Sequence, residues 1–301
     1  MKKILNWWNI QKEYFGYKTE KDHVWSIFLN EFNRLLECGK EVELQYPNNE
    51  YWEEKINFIK QKFRLTDKIV YEKNDILVVG DLHGNLSALN SFVEMANKID
   101  ALIIFLGDIL DHGQENLKCF EIVYDLCEQG RAICLKSNHE RKHFRYSLIE
   151  DGAPIVNLSQ GNLKTFNEIQ ALSEEDFSAF NSRLKRFWSK SYYYFNIDNL
   201  VFAHAAIPEN HWNSQDVDLN YYVHGDSHDK NRNNLWTNYV KKDIIAVVGH
   251  TYLNDYPIIK TNDNNGQTVF LDTGSSKGGQ LSVMRLKFNE NKYEFVNFFI
   301  F

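Results

Sequence analysis

Three short apolar runs rich in β-branched residues, at 76–79, 102–106 and 132–135, each end abruptly on a polar phrase. The phrases are Gly80-Asp81-Leu82-His83-Gly84, Gly107-Asp108-Ile109-Leu110-Asp111-His112-Gly113 and Ser137-Asn138-His139-Glu140. Runs this short and this continuously apolar predict strands buried on both faces. Between them, Asn85 is placed to cap a helix carrying Leu86, Leu89, Phe92, Val93 and Ala96 at helical spacing. A second helix is expected from Leu117, Phe120, Val123, Tyr124 and Cys127. The pattern is β-α-β-α-β, which demands a parallel sheet with right-handed crossovers. Ligands bind at the carboxyl ends of such strands, and there the polar phrases fall.

The later sequence is richer in strands: 200–203, 244–248, 269–271, 282–287 and 293–298, with a hairpin turn expected at 289–292. Before a soft boundary near residues 67–74 the periodicity is helical. Val24, Ile27, Phe28, Phe32, Leu35 and Leu36 form one stripe, and Trp52, Ile56, Ile59 and Phe63 another. We therefore expect a helical N-terminal extension over 1–74 and an α/β domain over 75–301. A chain of 301 residues with 43% hydrophobic content can bury a full core. Its formal net charge of −7 argues against an extended nucleic-acid groove, which would need a basic stripe, but leaves a phosphate substrate open. No apolar run approaches the ~20 residues of a membrane span. The start at Met1-Lys2-Lys3 lacks the features of a secretory leader, so a cytoplasmic protein is expected. Cys38, Cys119, Cys127 and Cys134 show no CxxC spacing and read as reduced structural thiols.

Asp81 and His83 share one turn; Asp108 and Asn138 add a carboxylate and an amide oxygen at the next two strand ends. His204 and His250 each close a later apolar run, in Ala203-His204 and Gly249-His250-Thr251. Six mixed oxygen and nitrogen ligands exceed one tetrahedral site and suit two cations ~3.5–4 Å apart. Mixed carboxylate and imidazole ligation favours Mn, Fe or Zn over Mg or Ca. His139 adjoins Asn138, and Asp111 lies just beyond Asp108. They read as a general acid and the carboxylate that orients it, with a supporting imidazole and a loop cap as the blander alternative.

These phrases, in this order, resemble the calcineurin-like metallophosphoesterases, whose hallmarks are GDxHG, GDxxDRG, GNHE, a downstream His and GH. The similarity spans roughly 76–286. It implies a two-sheet sandwich flanked by helices and two divalent metal ions, with Mn²⁺ first and Fe, Zn or Ni as alternatives. Asp81, His83 and Asp108 would hold one metal, and Asp108, Asn138, His204 and His250 the other. The implied chemistry is hydrolysis of phosphate monoesters, on a phosphoprotein or at a nucleotide or nucleic-acid end, by a metal-bridged hydroxide. Within the family, the chain is similar to diadenosine-tetraphosphatase-like enzymes, the phosphatase module of polynucleotide kinase-phosphatases and bacteriophage-type Ser/Thr phosphatases. Dinucleoside polyphosphate cleavage is therefore an alternative, and a catalytically weak phosphate-binding module a second one. The similarity of Leu271-Asp272-Thr273-Gly274 to a later family phrase makes Asp272 a candidate site residue. Two positions depart from the pattern: His112 replaces the arginine that clamps phosphate, and Ser137 replaces a glycine. An imidazole cannot reproduce a bidentate guanidinium fork. We expect His112 to bind phosphate in its place, with Arg141, Arg232 or Lys277 as helpers.

Overall fold

The computed structural model describes residues 3–6, 42–45, 73–147, 160–212, 218–226, 234–289 and 292–301. The chain divides into two compact units, Met1–Ile59 and Lys60–Phe301. In the first, strand β1 (Lys3–Asn6) pairs in parallel with β2 (Val42–Gln45). The two helical stripes expected there lie outside the described residues, and the boundary expected near 67–74 falls largely outside them.

The second unit holds two five-stranded sheets. One is built on β3 (Asp75–Val79), β4 (Leu102–Phe105) and β5 (Ala132–Cys134), paired in parallel in that order. The intervening crossovers carry helices α1 (Leu86–Lys98) and α2 (Asn116–Glu128). Asn85 caps α1 as its sequence suggests, its side-chain oxygen accepting the Ala88 N–H at 3.1 Å. After β5 come α3 (Asn138–Ser147), α4 (Gln160–Gln170) and α5 (Glu174–Lys190). The other sheet contains β6 (Tyr194–Ile197), β7 (Leu200–Ala203), β8 (Ile245–Val248), β9 (Ile258–Thr261) and β10 (Gln267–Phe270). A short helix, α6 (Leu219–His224), precedes β8. The chain then returns to the first sheet as an antiparallel pair, β11 (Ser282–Asn289) and β12 (Lys292–Ile300), with β11 beside β3. Asn289 pairs with Lys292, as the hairpin reading requires.

Side-chain alternation along a strand divides the apolar residues between two cores. Leu77 and Val79 of β3, with Ile103 and Phe105 of β4, pack with Leu89 and Phe92 of α1 and Phe120 and Val123 of α2. Ile76, Val78, Leu102 and Ile104 face the other way, into a cluster with Phe202, Val247 and Leu271 from the second sheet. Burial on both faces explains why these strands read as continuous apolar runs. The result is a two-sheet α/β sandwich flanked by helices.

Candidate active site

Two sets of parallel strands end at the same place. The first set is β3, β4 and β5, and the second is β7, β8 and β10, in which β8 pairs in parallel with both neighbours. Asp81 and His83 follow β3, Asp108 follows β4, Asn138 opens α3 after β5, His204 follows β7, His250 follows β8 and Asp272 follows β10. The turns carrying them are conformationally unusual. His83, Asp108, Asp111, His112 and His250 all have left-handed φ, at 47°, 48°, 75°, 64° and 60°. Such backbone is costly for residues with a Cβ and concentrates where side chains must be aimed. Gly249 is required by proximity, because a Cβ there would collide with the Asp81 carboxylate.

The histidines are aimed by backbone carbonyls. Nδ1 of His83 donates to Leu110 O and Nδ1 of His204 to Leu106 O, each at 3.1 Å. Each ring therefore turns Nε2 into the centre, where it lies 3.7 Å (His83) and 3.4 Å (His204) from the Asp108 carboxylate. Asn138 Oδ1 lies 2.8 Å from His204 Nε2 and 3.1 Å from His250 Nδ1. Burial holds His204 below its usual range, so with Nδ1 protonated its Nε2 carries a lone pair. Asn138 Oδ1 and His204 Nε2 are then two acceptors face to face. A cation between them resolves that conflict.

The carboxylates make the same demand. Asp81, Asp108 and Asp272 are all buried. Burial, followed by repulsion from Asp272 and Asp108, drives Asp81 well above the usual carboxylate range. Burial, partly offset by the Gly274 N–H, also raises Asp272. Asp108 goes the other way: burial opposes its charge, but the imidazoles around it, the charged His139 first, hold it below the usual carboxylate range. Two ligand sets share it. The potential ligand atoms of Asp81, His83 and Asp108 lie within 4.8 Å of one another, and so do those of Asp108, His204 and His250. The donor set thus fits divalent cations.

Beside this centre His139 Nδ1 meets Asp111 Oδ2 at 2.6 Å, joining the two residues that the sequence suggests as acid and orienter. Burial disfavours the charged ring, but Asp108 and Asp111 prevail and raise His139 to about 9. Asp111, itself buried, is held below the usual carboxylate range: burial opposes ionisation, and hydrogen bonds from His139 and His143 overcome it. Sequence reasoning missed the rest of this support. His143 Nε2 donates to Asp111 Oδ1 at 2.7 Å, Asn162 Nδ2 donates to Oδ2, and Thr165 Oγ1 accepts the Asp111 N–H at 2.9 Å. The signal for His143 is its spacing: four residues beyond His139 on a helix, it returns to the same face. Asn162 and Thr165 lie more than fifty residues from Asp111, and no local pattern points to them. Glu140 was also passed over. Its Oε1 accepts the Ile109 and Leu110 N–H groups at 3.0 and 2.9 Å, and burial followed by the nearby Asp108 raises it to about 7. Ser137, where the family pattern has glycine, donates to Glu140 and accepts the Asp108 N–H at 3.0 Å.

Of the substrate-binding candidates, His112 sits at the centre, its ring centroid 5.0 Å from that of His83 and 5.3 Å from that of His139. Gly161 makes room, since a Cβ there would strike the His112 ring. A cleft of about 470 Å³ opens beside His83 and His112, lined also by Glu115, Lys164 and Ser275. Asp272 is drawn into the centre and accepts the Gly274 N–H at 3.0 Å. Arg141 instead reaches His224 of α6, 2.5 Å from Nη1 to Nε2. The Lys277 ammonium lies 4.4 Å from the centroid of the Tyr252 ring. Arg232 lies outside the described residues.

Residues 75–296 match the family model described as calcineurin-like phosphoesterase. Curated relatives include a bis(5'-nucleosyl)-tetraphosphatase, PrpE, asymmetrical, of Geobacillus sp. (strain WCH70). It is 26% identical over 230 residues, covering 69% of this chain and 89% of the relative. The protein of the same description from Oceanobacillus iheyensis is 26% identical over 227 residues, covering 69% of this chain and 87% of the relative. A crystal structure provisionally described as a diadenosine tetraphosphatase shares the fold, with a TM-score of 0.50 at 15% identity over 75% of this chain and 94% of that one. With its strand-end carboxylates and imidazoles gathered at one point and the family model covering its sandwich from β3 into β12, the chain belongs to the calcineurin-like phosphoesterases, a family of metal-dependent hydrolases.

Proposed function

We propose that this protein hydrolyses phosphate monoesters, on a phosphoprotein or at a nucleotide or nucleic-acid end, with two divalent cations. The observation that carries the reading is the sharing of buried Asp108 between two ligand sets, one reaching Asp81 and His83 and the other His204 and His250. Asn138 joins the second set through its contacts with both histidines. When bound, the cations would supply a water acidic enough to act as nucleophile near neutral pH and would offset the charge on the phosphate oxygens. Mn²⁺ is our first choice, because mixed carboxylate and imidazole ligands suit it and its neighbours Fe, Ni and Zn better than Mg or Ca.

The chain's own residues then have distinct tasks. His139 gives a proton to the leaving oxygen from Nε2, because its Nδ1–H is committed to Asp111. Asp111 fixes the ring's orientation and favours its charged form. His112, beside the cleft, donates to the phosphate where the family's pattern has arginine. Asp272 lines the same centre, and Arg141 stands at the His224 side. A cytoplasmic setting agrees with the free thiols of Cys119, Cys127 and Cys134.

A second reading, cleavage of dinucleoside polyphosphates, is favoured by the description of the Geobacillus and Oceanobacillus relatives. A catalytically weak binding module is disfavoured by the completeness of the ligand and acid set. To separate the three, Mn²⁺-loaded protein is offered a phosphopeptide, a 3′-phosphorylated oligonucleotide and a diadenosine polyphosphate. Phosphate release from either of the first two supports the proposal, and cleavage of the third alone transfers it to the second reading. Turnover of none, with Mn²⁺, Ni²⁺, Zn²⁺ or Fe²⁺, would leave only the binding module.

A further inference from the structure

Building on the acid and orienter assigned above, we infer that His143 is a positioning residue for phosphoester cleavage: it pins one Asp111 oxygen so that the other faces His139. The ionised carboxylate is acceptor-only, so both imidazoles that meet it must present N–H groups, Nδ1 from His139 and Nε2 from His143. Those bonds fall on different oxygens, Oδ2 at 2.6 Å and Oδ1 at 2.7 Å. Asn162 adds a second donor to Oδ2. His143 is the only partner recorded for Oδ1 among the described residues. The torsion that turns a carboxylate about its Cβ–Cγ bond is broad and roughly two-fold, so nothing intrinsic to aspartate keeps Oδ2 on His139.

Water cannot readily take over this task. His143 is 3% exposed and Asp111 is fully buried. The two imidazoles are one turn apart on α3, so a single helix face delivers both to one carboxylate. Removing the second imidazole leaves His139 and Asn162 holding Oδ2 alone, so the carboxylate can pivot about that oxygen, and with it the ring that must aim Nε2 at a leaving oxygen. A misplacement of about 1 Å can cost roughly a hundredfold in rate, so an effect on turnover of about ten- to a hundredfold is expected.

The test compares wild type, His143→Phe, His143→Gln and His139→Ala, each loaded with Mn²⁺ and assayed for metal content. Phenyl phosphate serves as the ester with a poor leaving group and p-nitrophenyl phosphate as the one with a good leaving group. His143→Phe should lower kcat for phenyl phosphate about ten- to a hundredfold, with KM and bound metal unchanged and a much smaller loss on p-nitrophenyl phosphate. His143→Gln, which keeps an N–H donor, should restore most of the loss. In ¹⁵N-histidine spectra of the same proteins loaded with diamagnetic Zn²⁺, the low-field Nδ1–H signal of His139 should persist in wild type and His143→Gln and weaken in His143→Phe. Equal losses on both esters, loss of metal, no rescue by glutamine, or an unaltered His139 signal would each overturn the inference. If His139→Ala lacks the leaving-group dependence, the acid assignment itself fails. The Nδ1–H signal still reports separately on whether His143 holds Asp111.

Discussion

At the scale of single residues, buried Asp108 joins the most chemistry, since its carboxylate lies within reach of Asp81 and His83 on one side and of His204 and His250 on the other. Asp81, His83, Asp108, Asn138, His204 and His250 stand out together because carboxylate, imidazole and amide groups close one apolar run after another, and the fold brings all six to one centre. The helpers of Asp111 did not stand out. A buried Asn162 looks like any polar helix residue until the fold places it against a carboxylate, and His143 is marked only by its spacing of four from His139. His112 is the residue on which substrate affinity should turn. As a neutral donor, an imidazole contributes on the order of 1 kcal/mol where a charged fork contributes more. Replacing it with alanine should therefore raise KM for a phosphomonoester about fivefold while leaving metal content unchanged. Steady-state kinetics with metal analysis checks this, and an unchanged kcat and KM would remove His112 from substrate binding.

Among the elements, β3, β4, β5, α1 and α2 were legible because their patterns are local: alternation buried on both faces, a side-chain cap at Asn85, apolar residues three and four apart. α5 carries a comparable signal, with Ser173 accepting the Asp176 N–H and Phe180, Leu184 and Phe187 on one face. The function of α4 is another matter, because Asn162 and Thr165 acquire meaning only through the loop after β4. Asp111 fastens that loop to α3 and α4 at once. Its folded pKa lies below the ~3.9 of an unfolded aspartate, so its contribution to stability is present above about pH 4 and lost as pH falls further. Melting temperature measured from pH 6 down to pH 3 should accordingly fall less steeply in Asp111→Asn than in wild type. Parallel curves would mean that this ion pair adds nothing to acid lability.

For the whole molecule, the two-sheet plan follows from strands buried on both faces, which require a layer on each side. What the sequence could not convey was how the C-terminal strands divide: β7, β8 and β10 form the facing sheet, whereas β11 and β12 return to the first. That division depends on long-range pairing and leaves no local mark. It also explains the site, since parallel strand ends from both sheets converge where neither sheet alone could bring together all six candidate ligands. The central claim is that Asp108 is common to two cation sites. The most direct test is metal stoichiometry, measured by titrating Mn²⁺ into metal-stripped wild type, Asp108→Asn and His139→Ala and quantifying bound ion. Wild type and His139→Ala should each bind two ions per chain, with both sites weakened together in Asp108→Asn. One ion in wild type, or full loading of Asp108→Asn, would contradict the claim.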